Sequence, residues 1–227
     1  KPRNMQAGEK RPVIVYFFGG GWKLGTPLQF YRECAYYASK GMVAVSVDYR
    51  IEYLHHSTPF DSFEDAKDAI CWLRSHASDY QLDPDKIAVA GGSAGGHLAA
   101  ALGTIGSDEA VNYRPNLSVL YYPVVDMVSR GYGFPEIKRD FEKISPIHHV
   151  SEATPSTLIL FGTKDPIVSV ETIRSYQDKL LQKGVDCELH LFEGAGHPIF
   201  LYRKPLTEDY YKVRKLTDDF LKREGFL

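Results

Sequence analysis

The chain has 227 residues, with Lys+Arg 27 against Asp+Glu 29 and a formal net charge of −2. That balance provides no broad positive field for phosphate backbones or anionic lipid, so nucleic acid and the membrane surface are not expected partners. On folding, a chain of this size removes roughly 70% of its unfolded surface from water, enough for a full core without disulfide or metal staples.

In chain order, the first strand is predicted over 12–18, where Val13-Ile14-Val15-Tyr16-Phe17-Phe18 is apolar on consecutive residues. Such a run suits a strand covered on both faces. The glycine run Gly19-Gly20-Gly21 follows, then a helix over 28–39 and a strand over 43–48. A helix over 62–77, capped by Asp61 or Ser62, carries Phe63, Ala66, Ala69, Ile70 and Leu73 as an apolar stripe. Next come a strand at 87–90, a helix at 94–105 and a strand at 117–122. The segment 127–150 breaks the pattern with Gly131, Gly133, Pro135 and Pro146 and reads as a short insertion of the kind that forms lids or binding loops. Strands at 157–162 and 186–192 and helices at 168–183 and 206–223 complete the alternation.

Strands alternating with helices predict a doubly wound α/β domain with a mostly parallel sheet and right-handed crossovers. With no repeat, linker or low-complexity tract, residues 1–227 read as one domain. The longest stretch free of Asp, Glu, Lys and Arg, Ile87–Ser107, is interrupted by Gly91-Gly92-Ser93-Ala94-Gly95-Gly96-His97 and is rejected as a membrane span. No signal peptide is visible at Lys1, which leaves the cytoplasm and secretion after signal removal both open. Cys34, Cys71 and Cys187 stand far apart without a CxxC pair, so neither a zinc ribbon nor a dithiol redox site is available.

In an open α/β sheet ligands gather beyond the carboxyl ends of the strands, so the residues that follow each strand are read first. Gly91-Gly92-Ser93-Ala94-Gly95 lies between a strand and a helix, the context a G-x-S-x-G nucleophile elbow requires. Residues two before and two after the serine come close in so sharp a turn, and side chains there would clash. A serine hydroxyl needs a base, usually a histidine oriented by a carboxylate. Asp165 in Gly162-Thr163-Lys164-Asp165-Pro166 and His197 in Glu193-Gly194-Ala195-Gly196-His197 each follow a predicted strand, in the order Ser93, Asp165, His197. Donors for a developing oxyanion are expected from the backbone N–H groups of Gly20 and Gly21, and from Ala94 just after the nucleophile.

These stretches, together with Phe17-Phe18-Gly19-Gly20-Gly21-Trp22-Lys23-Leu24-Gly25 and Asp48-Tyr49-Arg50, resemble the esterase/lipase branch of the α/β-hydrolases related to hormone-sensitive lipase and to bacterial carbohydrate acetyl esterases. The resemblance covers nearly the whole chain. It implies a serine carboxylesterase working through an acyl-enzyme on short-chain esters, acetyl above all, with a small-molecule or carbohydrate ester as partner and no cofactor. Phe18 stands where the family loop carries a histidine, so a hydrogen bond bracing the loop is expected to be lost. Twelve residues precede Val13, too few for the family's leading strands: either the sheet is shortened or the parent chain is longer.

Competing readings stay open at this stage. The same triad serves amidases and arylformamidases, and a noncatalytic binding protein could keep the fold. Asp126 rivals Asp165 as the acid. His97 is expected to pack inside, and His190 lies within a strand. His55-His56 and His148-His149 lack metal-ligand spacing, so no metal is expected. Neither glycine run supplies G-x-G-x-x-G or a Walker lysine. For substrate contact, Trp22 is selected over Tyr53, His55, Phe134 and Phe200.

Overall fold

The computed structural model describes residues 1–3, 5–6, 8–106, 113–127, 140–200 and 206–227. Six strands form one all-parallel sheet in the order β2-β1-β3-β4-β5-β6, namely β1 (Arg11–Phe17), β2 (Val43–Val47), β3 (Leu82–Gly92), β4 (Leu117–Tyr121), β5 (Ser156–Gly162) and β6 (Cys187–Phe192). Among the described residues no strand precedes β1. The helices that matter for the site are α1 (Tyr31–Ser39), α2 (Pro59–Ser75), α3 (Ala94–Thr104), α4 (Val170–Gln182) and α5 (Glu208–Arg223).

The chain runs from β1 outward to β2, then crosses back to β3 and continues in the opposite direction. Right-handed crossovers put α1 on one face and the helices between the later strands, α2, α3 and α4, on the other, while α5, after the last strand, lies on the face of α1. The contacts agree. Tyr36 donates to Asp218 and Tyr210 to Glu33, joining α1 to α5, while α2 packs on α3. With both faces covered, Val13 to Phe18 and Ile87 to Ala90 are buried on successive residues. This is why these strands read as unbroken apolar runs rather than alternating ones. The reversal of direction opens a crevice between the carboxyl ends of β1 and β3, the usual ligand position in such sheets.

Two local expectations are corrected. The cap of α2 is Thr58, with Pro59 at the first helical position; Asp61 is the third residue and completes a capping box with Thr58. Proline in the first turn loses no hydrogen bond, which allows the helix to start earlier than its apolar stripe. Strand β3 begins at Leu82, well before Ile87. Asp83, Asp85 and Lys86 interrupt the apolar run that marked the strand, yet the register pairs Leu82 with Arg11.

Of the 127–150 insertion, residues 128–139, and with them Phe134, lie outside the described residues. The remainder contains a helical turn, Phe141–Ile144, and a tight turn, Pro146–His148. Ile144 is fully buried against the elbow helix, where its carbonyl meets His97.

Candidate active site

Strand β3 ends at Gly92, and α3 starts at Ala94, leaving Ser93 as the single residue of the turn with φ 55° and ψ −120°. Such a backbone costs a non-glycine residue about 1–3 kcal/mol and persists only where its surroundings enforce it. Here the enforcement is steric. A Cβ on Gly91 would collide with the Gly95 carbonyl, and one on Gly95 would collide with the Phe17 carbonyl. Glycine at both positions lets the turn close against β1, and Ser93 N–H donates to the Tyr121 carbonyl at 3.1 Å. The serine oxygen is thereby placed over the N-terminus of an eleven-residue helix, whose partial positive charge favours a developing anion.

His197 Nε2 lies 2.8 Å from Ser93 Oγ, and His197 Nδ1 lies 2.6 Å from Asp165 Oδ2. The Asp165 side chain is fully enclosed and the His197 side chain is 11% exposed. The other Asp165 oxygen accepts from the N–H groups of Ile167 and Val168 at 2.8 and 3.1 Å. These bonds fix the carboxylate plane and leave one oxygen for the imidazole, which aims its second nitrogen at the serine. The loops carrying the two residues are joined to one another: Lys164 N–H donates to the Ala195 carbonyl and Gly194 N–H to Thr163 Oγ1. Asp126, the rival acid, lies 3.8 Å from His148. Asp165 does not cap α4, since Ser169 does.

After β1 the chain makes the glycine loop, with Gly20 at φ 148° and Gly21 at φ 64°. The peptide that enters the loop is braced on both of its polar sides. The Tyr49 hydroxyl donates to the Phe18 carbonyl at 2.6 Å while its ring stacks on Phe18 at 4.1 Å. Gly19 N–H donates to Gln29 Oε1 at 2.6 Å. The brace expected to be lost with the family histidine is therefore supplied by a tyrosine 31 residues away. With Gly19 already satisfied, Gly20, Gly21 and Ala94 are left to offer donors. Ala94 is the first residue of α3 and has no intrahelical acceptor.

A cleft of about 360 Å³ lies over these groups, lined by Gly19, Gly20, Gly21, Leu24, Gln29, Ser93, Tyr122, Ile167, His197 and Pro198. Tyr122, just beyond β4, meets the His197 ring edge-on at 4.9 Å. Its place after a strand end could have flagged it in the sequence; Gln29 and Leu24 carry no such signal. The expectation for Trp22 is corrected: its side chain is 1% exposed and packs edge-on against His97. A positive φ of 59° at Trp22 turns the chain so that the indole enters the core beneath the loop rather than the cleft. Phe200 is likewise buried, against Tyr121 and Tyr210. His97 packs inside, as expected. Its Nε2 donates to the Ile144 carbonyl at 2.7 Å, and burial holds its pKa down to about 4.

An all-parallel doubly wound sheet with a serine elbow at its switch point defines the chain as an α/β-hydrolase. The BD-FAE family model matches residues 2–139, and the chain belongs to that family of α/β-hydrolase esterases. It is 32% identical over 218 residues to esterase LipC of Mycobacterium tuberculosis, with 82% of this chain and 52% of that protein aligned. It is 25% identical over 218 residues to an acetylxylan esterase of Xylanibacter ruminicola, with 87% and 44% aligned. The chain spans about half the length of the curated relatives it matches. The propionate-bound structure of esterase Est2 from Thermogutta terrifontis superposes with a TM-score of 0.93 at 37% identity, covering 100% of this chain and 88% of that one. The same esterase has been solved with butyrate bound and phosphorylated by paraoxon.

Proposed function

We propose that this chain is a serine carboxylic ester hydrolase for short acyl groups, with Ser93 as nucleophile, His197 as general base and acid, and Asp165 as orienting carboxylate. The observation that carries the reading is the continuous chain from Asp165 through His197 to Ser93, at 2.6 and 2.8 Å, opening onto a cleft that also contains unpaired backbone donors.

The mechanism follows from the geometry. Asp165 accepts from His197 Nδ1, which leaves Nε2 with its lone pair toward Ser93 Oγ. As the oxygen attacks the ester carbonyl, its proton passes to Nε2 and the charge left on the carbonyl oxygen is met by N–H groups of Gly20, Gly21 and Ala94. The imidazolium, stabilised by Asp165, returns the proton to the leaving alcohol. Water then repeats the sequence in reverse on the acyl-serine and releases the acid.

Acetyl is the preferred acyl group, on a carbohydrate or other small alcohol. The modest cleft, walled by Leu24, Tyr122, Ile167 and Pro198, supports a short acyl chain, and the acetylxylan esterase relative supports the sugar. Steady-state kinetics on p-nitrophenyl acetate, butyrate and octanoate, acetylated xylan and an N-formyl arylamine test this. Acetate and butyrate should exceed octanoate in kcat/KM by about tenfold or more, since each misplaced methylene is worth ~1–3 kcal/mol. A higher kcat/KM for the formamide would instead make the chain an amidase.

A further inference from the structure

Gln29 lies in the tight turn Pro27–Phe30 that leads into α1, ten residues from the loop it touches. Its amide can be oriented from chemistry alone. Gly19 N–H is a donor and requires an acceptor, so the oxygen faces Gly19 and the NH₂ points away from it. No described residue accepts from that NH₂, and Gln29 is half-buried in the wall of the cleft shared by Ser93 and His197. Its neighbours there are apolar side chains and glycine backbone: Leu24, Tyr122, Ile167 and Pro198. Apart from Ser93, His197 and the Tyr122 hydroxyl, Gln29 is the one polar side chain among the described residues of that wall.

We propose that Gln29 acts at both ends of its amide. Its oxygen positions the oxyanion loop, and its NH₂ contacts an oxygen on substrates whose leaving alcohol is a polyol or glycoside. This deepens the esterase reading and rests on it. The oxygen holds Gly19 N–H away from the cleft, which sets the peptide planes that follow and leaves Gly20 and Gly21 to face the carbonyl oxygen. The nitrogen gives an otherwise apolar wall a donor that an aryl alcohol does not use and a sugar hydroxyl or ring oxygen does.

Two near-isosteric variants separate the two roles. Gln29→Met removes acceptor and donor, whereas Gln29→Glu keeps an acceptor for Gly19 N–H and removes the donor. Each is assayed with the wild type on p-nitrophenyl acetate and on a mono-acetylated methyl xyloside. Thermal melting and the extent of paraoxon labelling establish that the fold and the nucleophile survive. Gln29→Met should lose about tenfold or more in kcat on both esters, with KM for the aryl ester within about twofold. Gln29→Glu adds a negative charge beside the oxyanion loop, so kcat should fall on both esters; its readout is the xyloside-to-aryl ratio of kcat/KM, which should drop about five- to tenfold, the scale of one hydrogen bond.

Unchanged kcat in Gln29→Met would overturn the positioning role. A xyloside-to-aryl ratio that stays the same in both variants would overturn the substrate contact. If the wild type hydrolyses neither ester and resists paraoxon, it is the esterase reading that fails, an outcome distinct from all of these.

Discussion

Ser93 and His197 come within 2.8 Å of each other, yet the two halves of the site are constructed differently. The serine half stands at the centre of the sheet. Its conformation is dictated by backbone atoms: Gly91 against Gly95, Gly95 against β1, and Gly19 against Gly92. The histidine half sits at the β5–β6 end, where β6 is an edge strand, and it is held by side chains and loop hydrogen bonds. Asp165 fixes the imidazole, Thr163 ties the two loops, and Phe200 wedges between Tyr121 and Tyr210. Backbone sterics tolerate no substitution without displacing the core, whereas side-chain tethers can be cut singly. Substitutions of the glycines in the first half should therefore appear as loss of folding, and substitutions of the polar tethers Asp165, His197 and Thr163 as loss of activity in a folded protein.

The largest expected effect is on activity. His197→Ala should lower kcat/KM on p-nitrophenyl acetate about ten-thousand-fold or more, with a melting temperature within a few degrees of wild type. On the other side, Gly95→Ala places a methyl group against the Phe17 and Phe18 carbonyls, which are backbone and cannot swing aside. It should destabilise by more than ~4 kcal/mol or abolish soluble expression; a stable, well-folded Gly95→Ala would break the distinction.

Phe200→Ala sharpens it. Removing a buried phenyl ring should cost about 3–5 kcal/mol in denaturant unfolding, and kcat should also fall about tenfold under conditions where the variant is fully folded. Activity that tracked the folded fraction alone would show that the wedge does not position His197.

Acid separates the halves in another way. His97 lies behind the elbow, fully buried, with its pKa lowered from 6.5 to about 4 by desolvation. Between those values an unfolded chain binds the proton and the folded one does not. Stability is then complete above about pH 6.5 and declines as pH falls toward 4. The loss over that interval is about 3 kcal/mol. A His97→Gln series of unfolding curves against pH should lack that part of the slope.

The sequence revealed the serine half almost completely, because steric demands there leave only glycine and fix the spacing around Ser93. It also revealed the alternation of elements, since strands buried on both faces have to be apolar throughout. The positions of Asp165 and His197 could be read from their places after strands, but the tethers that aim them could not. Thr163, Phe200 and Tyr122 act across distances that no local pattern encodes. Trp22 misled for a related reason: a large aromatic beside a glycine loop suggests a binding surface, and only its positive φ shows that the ring turns inward. Nor could the residue replacing the missing histidine brace be found from the loop itself, since Tyr49 reaches Phe18 from the segment after β2.

The central claim is that the hydroxyl at the elbow is made nucleophilic by the imidazole beside it. Intact-mass and peptide mapping after incubation with paraoxon test it most directly. The wild type should gain one diethylphosphoryl group, at Ser93, at a rate that His197→Ala lowers by several orders of magnitude, and Ser93→Ala should gain none. A wild type that remains unmodified, or a Ser93→Ala variant labelled at the wild-type rate, would contradict the account.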